Sequence, residues 1–219
     1  RGLGDVYKRQ TKIKQPSEKE IKKIVLFLHG YGANGADLIG IADYLKSYLP
    51  NTIFYSPDAP FICDANPMGF QWFPLNERTE DEIQNGLNDC EPYLNSFVKY
   101  ILDLHKLKIE DLAVIGFSQG TILSLYNFTR RNSSCAGIIA FSGLFFNKHR
   151  NNHKINFPIL LHHGKNDEVI NYNFSLNAEK DLRNLGFDVI CKIKENLGHG
   201  IDEGAIVDAK EFLLNSLFK

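Results

Sequence analysis

Ile24 to Leu28 reads Ile-Val-Leu-Phe-Leu, a run of strand length with no polar face. A strand with one side in water alternates polar and apolar residues, whereas one covered on both sides does not. Comparable runs recur at Thr52 to Tyr55, Leu112 to Phe117, Ala136 to Phe141, Pro158 to His162 and Phe187 to Ile193. Between them lie segments with helical spacing: Asp37 to Leu49, Asp81 to His105, Gln119 to Arg131, Tyr172 to Leu185 and Asp202 to Phe218. Pro92 is expected to mark a break or a start within the second of these, because proline removes an N–H and clashes with the preceding turn. Asp202 suits the N-cap of the last. Doubly covered strands alternating with helices predict a single α/β three-layer sandwich, with a mostly parallel sheet of about six strands. In such sheets the site lies beyond the carboxyl ends of the strands.

The 219 residues, 43% hydrophobic and 23% charged, suit one soluble domain with its own core. A formal charge of −1 argues against nucleic acid as a partner, and no apolar run is long enough for a transmembrane helix. Residues 1–10 (RGLGDVYKRQ) resemble the conceptual translation of a sequencing adapter and are set aside, leaving residues 11–219 as the domain. Cys63, Cys90, Cys135 and Cys191 show neither a CxxC pair nor metal-like spacing, so reduced thiols are expected and a cysteine nucleophile is not.

The residues after each strand carry the chemistry. Gly116-Phe117-Ser118-Gln119-Gly120 follows the third strand and opens a helix. This G-x-S-x-G pattern suits a turn so tight that the serine backbone is strained and glycines are needed on either side. It points to Ser118 as a nucleophile, which needs a base. Of seven histidines, His199 alone stands in a glycine-flanked loop after the last strand, within Gly198-His199-Gly200. His149 and His153 fall in polar surroundings. An acid must orient the base; Asp167, in the loop after the fifth strand, is the natural choice and Glu168 its rival. Backbone N–H groups of Gln119 and of Tyr31, in the loop His29-Gly30-Tyr31-Gly32, are the expected oxyanion donors. Residues 57–79 form a long proline- and aromatic-rich loop, expected to be functional.

LHGYGANG, GFSQG, HGKNDEV and GHG, in that order, resemble the phospholipase/carboxylesterase family of α/β-hydrolases over about residues 22 to 218. The resemblance implies Ser118 as nucleophile, Asp167 as acid, His199 as base, and Tyr31 and Gln119 as oxyanion donors. It implies hydrolysis of a small-molecule acyl ester or thioester without metal or organic cofactor, in the cytoplasm, and leaves a homodimer open. The family's additional N-terminal strand or hairpin is expected to be largely missing here. The family carries a Trp-Phe pair in the long loop, here Trp72-Phe73. The thioesterase branch typically has an aspartate after it where this chain has Pro74, which favours the bacterial carboxylesterase branch. Met68, Phe70, Trp72 and Phe73 would then line a substrate pocket, or else pack in the core. Three readings follow: an esterase for short to medium acyl chains, a thioesterase or lysophospholipase for longer ones, and a non-catalytic ligand-binding protein of the same fold.

Overall fold

The computed structural model describes residues 11–146 and 155–217; the set-aside residues 1–10, with His149, His153 and Phe218, lie outside them. The six expected strands are present as β2 (Lys23–Leu28), β3 (Thr52–Pro57), β6 (Leu112–Phe117), β7 (Gly137–Phe141), β8 (Pro158–Gly164) and β9 (Asp188–Lys194). A seventh, β1 (Thr11–Lys14), completes a sheet of order β1-β3-β2-β6-β7-β8-β9. Every neighbouring pair is parallel except β1 with β3. The N-terminal edge strand expected to be largely missing is therefore represented by these four residues.

Strand side chains alternate between the two faces. Ile24, Leu26 and Leu28 enter one core with Leu112 and Val114, while Val25 and Phe27 enter the other with Ala113 and Ile115. The first core is closed by α3 (Glu80–His105), α4 (Gln119–Phe128) and α5 (Asn173–Asn184). The second is closed by α1 (Gly35–Ile39), α2 (Ile41–Leu45) and α6 (Glu203–Leu217). Helix α4 is buried at all ten positions, so its polar residues must find partners inside the protein. Among the described residues, no helix is long and apolar enough to cross a membrane.

Three elements differ from expectation. The helix expected over residues 37–49 divides at Gly40 into α1 and α2, glycine being a poor helix former. Pro92 sits inside one continuous 26-residue helix. Burial of Leu87, Cys90, Leu94, Phe97, Val98 and Ile101 on one α3 face offsets the proline's local cost. The long loop is organised: β4 (Phe61–Ile62) pairs with β5 (Phe70–Gln71), and Phe70 bridges to Ala33. At its far end the Glu82 carboxylate accepts the N–H groups of Asn76, Glu77 and Arg78 at 2.9, 3.0 and 2.7 Å.

Burial also sets a pH response. It pushes His29, His162 and His163 below the usual 6.5, with backbone and carboxylate contacts only partly offsetting it. The unfolded chain then binds more protons than the folded one between those lowered values and 6.5. Their contribution to stability is complete above 6.5 and is lost as pH falls below it. Neither His162 ring nitrogen has a hydrogen-bond partner among the described residues, and Asp208 Oδ2 stands 3.6 Å from Nε2. The urea midpoint is expected to fall between pH 7.5 and 5.5, and His162→Phe to flatten that fall. An equally steep fall in the variant would remove His162 from the explanation.

Candidate active site

Ser118 joins β6 to α4 with φ 53° and ψ −114°, a backbone conformation that costs a non-glycine residue about 1–3 kcal/mol. The strain is held from both sides. Ser118 N–H donates to Phe141 O at 2.9 Å, and Ser118 O accepts the N–H groups of Thr121 and Ile122 at 3.0 and 3.2 Å. The two flanking glycines are required by close approach. A Cβ on Gly116 would lie 2.6 Å from Gly120 O, and one on Gly120 only 1.9 Å from Leu28 O. The elbow is thus wedged against the end of β2, and its serine sits at the positive end of α4.

The β8 and β9 loops are stitched together beside it. Lys165 N–H donates to Lys194 O at 2.8 Å and Asn166 N–H to Leu197 O at 2.9 Å. A Cβ on Gly164 would meet Leu197 O at 2.2 Å and Gly198 O at 2.3 Å. This contact brings Asp167 to His199: Asp167 Oδ2 lies 2.7 Å from His199 Nδ1. The His199 ring faces Phe117, the neighbour of Ser118, with centroids 5.0 Å apart. Among the described residues Ser118 Oγ makes no hydrogen bond, and such contacts often tighten only around substrate. Glu168, the rival acid, is exposed.

Asp167 is fully engaged. Its Oδ1 accepts the N–H groups of Val169 and Ile170 at 2.8 and 2.9 Å, and its Oδ2 also contacts His163 Nε2 at 3.0 Å. Burial works to raise its pKa, but the Ile170 and Val169 amides and His199 outweigh it and hold the carboxyl below the usual range. His163 was not singled out in the sequence. It is completely buried, its Nδ1 meets Ser175 Oγ at 2.7 Å, and its Nε2 also faces Ile170 O at 2.9 Å. Two acceptors at Nε2 place the proton there, so His163 is a neutral donor to Asp167 and Ser175 donates to Nδ1. A histidine at the end of β8, just before Asp167, is the available signal, but His162 beside it is indistinguishable by pattern.

On the other flank, the N–H groups of Tyr31 and Gln119 have no partner among the described residues. The loop that carries Tyr31 is anchored through His29, whose Nδ1 donates to Gly30 O at 2.7 Å and whose Nε2 accepts Ala59 N–H at 3.0 Å. Gln119 contributes more than a main-chain N–H. Its Oε1 accepts Trp72 N–H at 2.9 Å and its Nε2 donates to Phe73 O at 2.7 Å, clamping the long loop to the elbow. A glutamine heading a fully buried helix was the sequence signal for that role.

Of the two roles open to the aromatic residues, Trp72 and Phe73 take the packing one. Trp72 is 1% and Phe73 0% exposed, and both pack in the core, with Trp72 Nε1 donating to His29 O at 2.9 Å. Phe70 is half-buried against the same core and Met68 is 87% exposed. Trp72 supports the His29 loop, its ring 5.3 Å from the His29 ring, and Phe73 O holds Gln119 Nε2. The four cysteines are free, and burial pushes the Cys135 thiol up to about 12 and Cys191 up to about 11, leaving them poor nucleophiles.

Comparison with known proteins agrees with this architecture. The model of the phospholipase/carboxylesterase family matches residues 9–217. Esterase YpfH of Escherichia coli K12 is 29% identical over 199 residues, covering 91% of this chain and 85% of that protein. Acyl-protein thioesterase 1 of Debaryomyces hansenii is 25% identical over 223 residues, covering 92% and 94%. Among solved structures, esterase PE8 superposes with a TM-score of 0.90 at 32% identity, covering 95% and 99%. With a strained serine between strand and helix, a mostly parallel seven-stranded sheet and a family match along nearly its whole length, the chain belongs to the phospholipase/carboxylesterase family of α/β-hydrolases and is a carboxylic-ester hydrolase.

Proposed function

We propose that this chain cleaves esters of short to medium acyl chain through a covalent acyl-enzyme on Ser118. The observation that carries the reading is the 2.7 Å contact between Asp167 Oδ2 and His199 Nδ1, with the imidazole held against the residue preceding a strained serine. Asp167 accepts a hydrogen bond from His199 Nδ1–H, which fixes the tautomer and leaves Nε2 as the basic nitrogen. His199 Nε2 removes the Ser118 proton as Oγ bonds to the ester carbonyl carbon. The Tyr31 and Gln119 N–H groups receive the oxyanion, and each such donor is worth about 3 kcal/mol in the transition state. The C–O bond to the alcohol breaks, and the alcohol oxygen leaves with the proton from His199. Water, deprotonated by the same nitrogen, then releases the acid and restores Ser118.

The same steps serve a thioester, and relatives named acyl-protein thioesterase stand beside the esterases. Pro74 after Trp72-Phe73, where the thioesterase branch typically has an aspartate, supports the ester reading. Four free cysteines suit a reducing, cytoplasmic setting. A series of p-nitrophenyl esters from C2 to C16 tests the assignment. Peak kcat/KM is expected at C8 or shorter, and a peak at C12 or beyond would transfer the chain to the long-chain reading.

A further inference from the structure

We infer that the cavity beside His199 is the pocket for the leaving alcohol, and that it takes an uncharged, apolar alcohol. This rests on the ester-hydrolase reading above and assigns one side of the site to one half of the substrate. The cavity, of about 320 Å³, lies between α1, α2 and the start of α6. Asp37, Leu38, Ile41, Phe117, Ile201 and Ile206 line it.

Its place is set by two residues close in sequence to the reacting groups. Phe117 is bonded to Ser118 and its ring faces His199 at 5.0 Å; Ile201 follows His199 by two residues. The cavity therefore adjoins the histidine side of the serine. Chemistry distinguishes that side. The oxyanion must point to the Tyr31 and Gln119 amides, and the alcohol oxygen must receive its proton from His199. The alcohol's carbon chain then extends past the imidazole, towards the Phe117 and Ile201 walls.

The lining decides what fits. Five of the six residues present only hydrocarbon, and Ile41, Phe117, Ile201 and Ile206 are partly buried rather than closed into the core. Water against those walls is released when an apolar group enters. The one charge is Asp37, exposed at the rim. A carboxylate there opposes alcohols that carry phosphate or carboxylate. Trp72 and Phe73 are closed into the core and do not line this cavity.

Butanoate esters of methanol and benzyl alcohol share one acyl-enzyme, so the ratio of their kcat/KM values reports the alcohol alone. Ile206→Trp, which fills the cavity, is expected to lower the benzyl-to-methyl ratio about tenfold, the scale on which an apolar pocket discriminates. Ile206→Ala, which removes atoms and so guards against misfolding of the larger variant, is expected to raise 2-naphthylmethyl relative to benzyl. Asp37→Lys is expected to raise 4-carboxybenzyl relative to benzyl. Unchanged alcohol ratios in both Ile206 variants would overturn the assignment, as would ratios that follow acyl length instead. Absence of a fluorophosphonate adduct on the wild-type chain is the separate result that removes the ester-hydrolase reading itself.

Discussion

Ser118→Ala is expected to lower kcat on p-nitrophenyl butanoate by roughly five to six orders of magnitude, since serine and base act as a unit. KM should change little, because the hydroxyl contributes to bonding in the transition state more than to binding the ester. A second readout separates chemistry from folding. Ser118 holds φ 53°, so Ser118→Gly relieves backbone strain that Ser118→Ala keeps. The glycine variant is expected to be more stable than the alanine variant by about 1 kcal/mol in urea, although both are inactive. Equal stabilities would mean that the elbow is not strained at this residue. Retained turnover in either variant would move the nucleophile elsewhere.

Asp167→Asn is expected to cost about four orders of magnitude in kcat, as removal of the orienting carboxylate does in serine triads generally. The local hydrogen bonds say why. The Val169 and Ile170 N–H groups, at 2.8 and 2.9 Å, require an oxygen at Oδ1. The asparagine must then turn its NH2 towards His199 Nδ1 and the His163 Nε2 proton. His199 is driven to the tautomer with its proton on Nε2, which cannot accept one from Ser118. Glu168→Gln, on an exposed side chain outside this network, should alter kcat by no more than about twofold. His163→Phe keeps shape but removes one donor to the carboxylate, and a loss on the order of tenfold is expected from the value of one such bond. Near-wild-type turnover in Asp167→Asn, or a collapse in Glu168→Gln, would reassign the acid.

The readable parts of this fold are those where burial on both faces leaves a pattern. Ile24 to Leu28 and Leu112 to Phe117 are apolar throughout because helices cover both sides, and the candidate residues Tyr31 and Ser118 follow them. Thr11–Lys14 carries no such pattern because an edge strand need not be apolar: Thr-Lys-Ile-Lys leaves even Ile13 46% exposed. Pro92 was misleading because local propensity argues for a break while six buried residues of α3 argue for continuity. Asp167 could be preferred over Glu168 from loop geometry, but its fourfold satisfaction depends on His163 and on backbone turns that no spacing reveals. Trp72 and Phe73 carry the composition of a pocket and the burial of a core, a distinction that only packing resolves. The Leu38, Ile41, Phe117, Ile201 and Ile206 cavity joins three distant segments and leaves no local signature.

Fluorophosphonate treatment of the wild-type chain, followed by intact mass and peptide mapping, tests the serine chemistry most directly. One adduct per chain is expected, on the peptide that carries Ser118, and none on folded Ser118→Ala. Folded wild-type protein that stays unlabelled, or an adduct on any other residue, would contradict the assignment of Ser118 as the nucleophile.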